Sequence, residues 1–239
     1  MRSRPFQEIL LENQCLILLV GAVANPEVSQ GDRHSFAMPK LAILGGSFNP
    51  IHQGHLLMAE MALKQVNLDQ VIWVPAQCPP HKQSIELADF QHRVEMVKRA
   101  IASYPVFCLS TVDQNRTGTS YAINTLLDLQ TCYPNSQWYW IVGLDAFASL
   151  PRWYRRQELA ANCSWLVAPR AGQPAEVIGH QVVQQLAAQS IKIDWQILQM
   201  PLFEISSSLV RQYCRDRRSL GDLVPESVEN YILAHSLYR

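Results

Sequence analysis

The chain has 239 residues, 48% of them hydrophobic and 17% charged. That is a globular composition with enough length for a substantial core, and it excludes a disordered chain. Lysine plus arginine and aspartate plus glutamate number 20 each, so no overall basic field points to duplex nucleic acid, and an anionic ligand has to be held by local donors.

Residues 1–38 read as an N-terminal extension and residues 39–239 as one domain. Cys15 to Ala24 is an apolar run too short to span a bilayer. With Arg2 and Arg4 ahead of it and Ala22, Val23 and Ala24 at its end, it imitates a signal peptide. Glu8 and Glu12, however, lie where such a peptide prefers no acid. Asn25 to Ala37 reads as a polar linker, and Met38 is expected as an alternative start. The six cysteines, Cys15, Cys78, Cys108, Cys132, Cys163 and Cys214, form no close pair with metal-site spacing. A reduced, cytoplasmic setting is expected.

Leu41 to Leu44 is a continuous apolar run that suits a strand buried on both faces. Gly45, Gly46, Ser47, Phe48, Asn49 and Pro50 follow, suiting a tight loop where backbone approaches a ligand. His52 and His55 then open a helix whose apolar stripe is Leu56, Met58, Ala59, Ala62, Leu63 and Val66. A strand, a glycine loop and a helix start aim free N–H groups and the positive helix end at one spot, which suits a phosphate. The glycine spacing is neither that of a Walker loop nor that of a dinucleotide fingerprint. The plainer alternative is a βα turn with two solvated or core histidines.

Gln70 to Val74 reads as the second strand. Pro79 and Pro80 stiffen a loop that presents His81 and Lys82, either to a phosphate or to water. Asp89 is expected to cap a helix to Ser103 with Phe90, Val94, Val97 and Ile101 inward. Val106 to Ser110 is a third strand. Ser120 is expected to open a helix through Leu129. The free N–H groups around Tyr121 and Ala122 suit a carboxylate, unless Ser120 simply caps the helix. Trp138 to Val142 is a fourth strand, followed by Gly143 and Asp145, where a carboxylate either accepts ribose hydroxyls or caps a helix. Pro151 introduces another start, and Trp153 beside it either stacks on a heterocycle or fills the core.

Trp165 to Ala168 and Trp195 to Met200 read as the fifth and sixth strands, with a helix from Pro174 to Gln189 between them. Two helices close the chain, Ser207 to Arg217 and Pro225 to His235. Ile205, Ser206, Ser207 and Ser208 precede Arg211, four residues after Ser207 on the same helical face. They suit a polyphosphate clamp, or ordinary capping. Strands alternating with helices, each strand continuously apolar, predict an α/β fold: a Rossmann-like, doubly wound, mainly parallel sheet with helices on both faces. Ligands then belong at the carboxyl ends of the strands, near the switch in strand order.

The His52-x-Gly54-His55 signature resembles that of the nucleotidylyltransferases. Together with Pro79 to Lys82, Ser120 and Tyr121, Gly143 to Asp145, Pro151 to Tyr154 and Ile205 to Arg211, it resembles the nicotinate-nucleotide adenylyltransferases over about residues 40–239. The resemblance implies transfer of an adenylyl group from ATP to nicotinate mononucleotide, giving deamido-NAD and pyrophosphate in NAD biosynthesis. It implies that His52 and His55 meet the triphosphate, that His81 and Lys82 hold phosphate, and that Ser206, Ser207 and Arg211 stabilise pyrophosphate. Gly45, Gly46, Ser47, Phe48 and Ile205 would line the substrate site. Ser120, Tyr121 and Ala122 would bind the nicotinate carboxylate. Gly143 and Asp145 would hold ribose, Trp153 the nicotinate ring, and Arg170 would lie near the ligand.

Mg²⁺ is implied as cofactor through ATP phosphates and water, with no protein metal ligand. ATP and nicotinate mononucleotide are the implied partners, with no nucleic acid and no membrane. The oligomeric state is left open, a homo-oligomer included. Three positions depart from the family pattern: Asn49 stands for Asp, Ala122 for Thr and Ser208 for Thr. The rivals are an enzyme using nicotinamide mononucleotide, a pantetheine-phosphate adenylyltransferase, and a nucleotide-sensing module without catalysis.

Overall fold

A computed structural model describes residues 38–80, 87–202 and 204–239. The expectations for residues 1–37 and for His81 and Lys82 lie outside the described residues. Six strands form one sheet: β1 (Lys40–Gly46), β2 (Gln70–Pro75), β3 (Phe107–Leu109), β4 (Gln137–Gly143), β5 (Ser164–Ala168) and β6 (Trp195–Ile197). Their spatial order is β3-β2-β1-β4-β5-β6, and every pairing is parallel. This is the doubly wound order, with the chain reversing direction across the sheet between β1 and β4.

Among the described residues eight helices cover the sheet: α1 (Gln53–Val66), α2 (Phe90–Ile101), α3 (Ala122–Cys132), α4 (Leu144–Ser149), α5 (Arg156–Asn162), α6 (Ala175–Ala187), α7 (Ser207–Arg215) and α8 (Glu226–Ala234). A 3₁₀ turn, Leu150–Arg152, joins α4 to α5. The strand pleat divides the core in two. Ala42 and Leu44 of β1 face a cluster built with α1, α2, α7 and α8, while Leu41 and Ile43 face one built with α3 to α6. Both faces of the central strands are therefore apolar, which is why these strands are continuous hydrophobic runs. Each fully buried Leu, Ile or Phe contributes about 1.5–3 kcal/mol.

Three local readings change. On α2, Val94 is only half-buried, and Arg93 takes the inward place instead, 1% exposed. Tyr121, not Ser120, is the N-cap of α3, because the Ser120 hydroxyl is engaged elsewhere. β6 ends at Ile197, three residues earlier than its apolar run, although Leu198 N–H still reaches Val167 O at 2.9 Å. No helix of the described residues is long and apolar enough to cross a membrane.

Candidate active site

The carboxyl ends of β1, β2 and β4 enclose a cleft of about 680 Å³. It lies at the reversal in strand order, where an open parallel sheet leaves a crevice between diverging loops. Gly45, Gly46, Ser47, His52, His55, Ser120, Tyr121, Ala122, Gly143 and Trp153 all line it. Phe48 does not. The whole residue is 1% exposed, and its ring packs in the core. Phe48 also adopts φ +44°, a left-handed conformation that L residues avoid, and it turns the glycine loop sharply toward α1.

The imidazoles are fixed by the start of α1. His52 is the N-cap, and its backbone N–H donates to His55 Nδ1 at 3.2 Å. An accepting Nδ1 places the proton of a neutral ring on Nε2, so His55 keeps a donor at its far edge. The two rings stack with centroids 3.7 Å apart, and Phe48 meets His55 edge-on at 5.1 Å. Gly54 has a steric reason: a Cβ there would lie 3.0 Å from His52 Nδ1 and 3.1 Å from Cε1. His52 is 7% exposed and has little room to yield.

Arg93 holds the glycine loop from below. Its guanidinium donates to Ser47 O at 2.9 Å, Ala76 O at 2.7 Å, Ala88 O at 3.0 Å and Gln77 O at 3.3 Å. Burial pulls its pKa down, with Tyr238 and Asp89 opposing. An arginine nonetheless stays protonated in proteins, and four carbonyls compensate its desolvation. The segment leading to His81 and Lys82 and the segment leaving it are thus both tied to the glycine loop.

The late serine-rich segment meets the same loop. Ser207 Oγ donates to Pro50 O at 2.8 Å, and Arg211 Nη1 donates to Asn49 O at 2.8 Å. Ser206 caps α7 by accepting from Leu209 N–H at 3.2 Å. A hydroxyl has one hydrogen, and that of Ser207 is committed to Pro50. What α7 offers an anion in this arrangement is its amides, the Ser206 hydroxyl hydrogen and the remaining Arg211 donors. Ile205 lies apart, lining a small second cleft with Gly54 and Glu60.

The opposite wall is aromatic. Trp153 is half-buried, donates Nε1–H to Ser149 Oγ at 2.8 Å and packs edge-on against Trp165 at 5.7 Å. Tyr154, named from sequence only as the end of the Pro151 to Tyr154 match and given no role, approaches Tyr121 with ring centroids 4.6 Å apart and lines the cleft. Ser120 joins two loops: its Oγ accepts from Cys78 N–H at 3.0 Å and its N–H donates to Cys78 O at 2.9 Å. Tyr121 N–H donates to Thr119 O at 3.0 Å, which leaves Ala122 as the amide at the open start of α3. Below them Asp113, another residue the sequence reading passed over, accepts from Thr125 Oγ1 and Arg116 Nε, each at 3.1 Å. Asp145 does not cap α4. It is exposed and ion-paired with Arg170, and Gln173 Nε2 donates to its other oxygen at 3.3 Å. The two residues nominated separately from sequence therefore form one surface pair.

Arg93 had a sequence signal: it falls three residues after Phe90 on an otherwise apolar stripe. Tyr154 lay within a matching segment but had no signal of its own, and Asp113 had none strong enough to separate it from surface residues.

A glycine loop, paired imidazoles and a serine-rich helix start gathered on a doubly wound sheet define a nucleotidyltransferase, and residues 43–213 match the cytidylyltransferase-like family model. A protein of Nostoc sp. (strain PCC 7120) described as a probable nicotinate-nucleotide adenylyltransferase is 53% identical over 206 residues, which cover 84% of this chain and 98% of that protein. The nicotinate-nucleotide adenylyltransferase of Bacillus subtilis is 36% identical over 201 residues, covering 84% of this chain and 99% of that one. The nicotinic acid mononucleotide adenylyltransferase of Plasmodium falciparum, solved in complex with APC, shares the fold with a TM-score of 0.66 at 18% identity, over 84% of this chain and 97% of that chain. The chain belongs to the nicotinate-nucleotide adenylyltransferase family.

Proposed function

We propose that the chain transfers the adenylyl group of ATP to nicotinate mononucleotide, forming nicotinate adenine dinucleotide and pyrophosphate for NAD biosynthesis. The observation that carries this reading is the junction of two distant phosphate-type motifs. The His-x-Gly-His loop and the start of α7 are bonded to each other through Asn49 and Pro50, beside a cleft with an aromatic wall.

An oxygen of the mononucleotide's 5′-phosphate attacks the α-phosphorus of ATP in line, and the bond to the pyrophosphate oxygen breaks. A phosphate monoester is already anionic near neutral pH, so no general base is required. Catalysis then rests on positioning and on donors aimed at developing charge. His55, with its proton on Nε2, and His52 donate to the triphosphate beside the Gly45, Gly46 and Ser47 backbone. Ser206, the α7 amides and Arg211 receive the departing pyrophosphate, and His81 and Lys82 add charge from their loop. Trp153 stacks on the nicotinate ring, and the Ala122 amide takes its carboxylate. Asp145 serves ribose, with Arg170 steadying it.

The cofactor is Mg²⁺, which neutralises part of the ATP charge. The ion would be held through ATP phosphates and water rather than by a cage of protein ligands. Residues 39–239 act as one domain in this reading. A cytoplasmic setting goes with this reading, because secretion would strand an ATP-using enzyme away from its substrate.

Initial rates of pyrophosphate release with ATP and a panel of mononucleotides test the assignment. Nicotinate mononucleotide should exceed nicotinamide mononucleotide. Equal rates would overturn the acid preference, and no turnover with either would leave a nucleotide-binding module. His55→Ala should lower kcat by at least about tenfold while changing KM less, because its donor acts on charge that grows in the transition state. An unchanged kcat would remove His55 from that role.

A further inference from the structure

We propose that Tyr238 is a positioning residue for the transfer, acting through Asn49, to which its phenol donates at 2.9 Å, to fix the loop between the imidazoles and Arg211. The inference rests on the function proposed above and adds a residue from the far end of the sequence, 189 positions from its partner.

Asn49 is the junction. It is 1% exposed, and its side-chain Oδ1 accepts from Ala88 N–H at 3.0 Å as well as from the Tyr238 hydroxyl. Its backbone O accepts from Arg211 at 2.8 Å. The Ala88 amide can only donate, so it fixes which way the Asn49 amide points, and the phenol then has a single sensible role as donor. Burial pushes the Tyr238 phenol well up, with Arg211 and Arg93 opposing, so the hydroxyl keeps its hydrogen through the working pH range.

The backbone after α8 is bent to reach this contact. Ser236 and Tyr238 adopt φ +51° and +65°, conformations costing L residues about 1 kcal/mol or more each. Leu237 N–H returns to Ile232 O at 3.0 Å, and the Leu237 side chain packs on the core beside α8. The phenol is thus delivered from a rigid base. Without it, Asn49 loses one of the directional bonds that hold its side chain, and the hold on the residue whose carbonyl accepts from Arg211 weakens. A neutral amide has no charge to bind Arg211 or Arg93 at a distance, so its orientation depends on directional bonds.

Tyr238→Phe removes one hydroxyl and keeps the ring, so it tests the contact with little change in packing. The experiment measures kcat and KM for both substrates, thermal unfolding, and a double-mutant cycle with Arg211→Lys. Expected are a kcat lowered about tenfold, KM changed less, a Tm within a few degrees of wild type, and less-than-additive losses in the double variant. A kcat within twofold of wild type, or strictly additive losses, overturns the role of Tyr238 and leaves the proposed function standing. A wild-type chain that does not turn over ATP and nicotinate mononucleotide overturns the function itself, and with it any positioning role.

Discussion

Gly54 stands in the sequence between the two imidazoles and leaves no room for a side chain against His52. A methyl there would press on His52, a ring held by burial on one side and by His55 on the other. Glycine near a helix start also costs stability relative to alanine, roughly 0.5–1 kcal/mol in a helix interior. The two effects oppose each other. Gly54→Ala should leave Tm unchanged or higher while kcat for the adenylyl transfer falls about tenfold or more, measured by thermal unfolding and steady-state pyrophosphate release. A fall in both would mean that the ring displacement reaches the core. The histidines themselves were legible because their spacing places them beside a glycine loop. Arg93 stood out only as a charge on an apolar helical stripe, and its place beneath that loop was not legible. Its partners are Ser47, Ala76, Gln77 and Ala88 carbonyls, and a carbonyl leaves no mark in a sequence. Asn49 was read as a departure from a pattern, when its bonds to Ala88, Arg211 and Tyr238 make it a junction of four segments.

The elements were legible where burial on both faces made the strands continuously apolar, as in β1, β2 and β4. Their ends were less so. Ser120 looked like a cap because a serine before a helical stripe usually is one, but Cys78 N–H competes for its hydroxyl from a loop 42 positions away. Arg93 gives the α2 prediction. Arg93→Met keeps the stem but leaves four carbonyls without their donor. A destabilisation of at least about 2 kcal/mol is expected from buried polar groups left unpaired, with KM for ATP raised as the glycine loop loosens. Denaturant unfolding and substrate titration measure the two parts. On the other face, α6 packs against β6 at Gly179, where a Cβ would lie 2.2 Å from the Trp195 ring. Gly179→Ala should cost about 1–3 kcal/mol by overpacking. Trp195→Leu in the same chain should recover part of it, which separates a steric cause from a loss of helix geometry.

Across the whole molecule the sheet divides two apolar cores: α1 and α7, which carry the proposed phosphate donors, pack on one face, and α3 to α5, with the aromatic wall of the cleft, on the other. Alternation of strand and helix revealed the layered sheet. The pairing of distant segments within it was legible only as two motifs of matching chemistry. The core also carries a pH response. Burial pushes the Cys163 thiol up to about 12, whereas the unfolded chain ionises it near the ordinary value of about 8.5. The folded state therefore binds the extra proton between these limits, and its stability falls as pH rises through them, with the contribution intact below the lower one. Tm measured from pH 8 to 10.5 should fall less steeply for Cys163→Ala than for wild type. Cys78 and Cys132, both exposed, should react with a thiol reagent well before Cys163 does.

The sheet tapers: β3 and β6, at its two borders, have three residues each, against seven in β1 and β4. So short a border offers a passing chain too few open backbone groups to zip onto. Strand addition at either flank is therefore disfavoured.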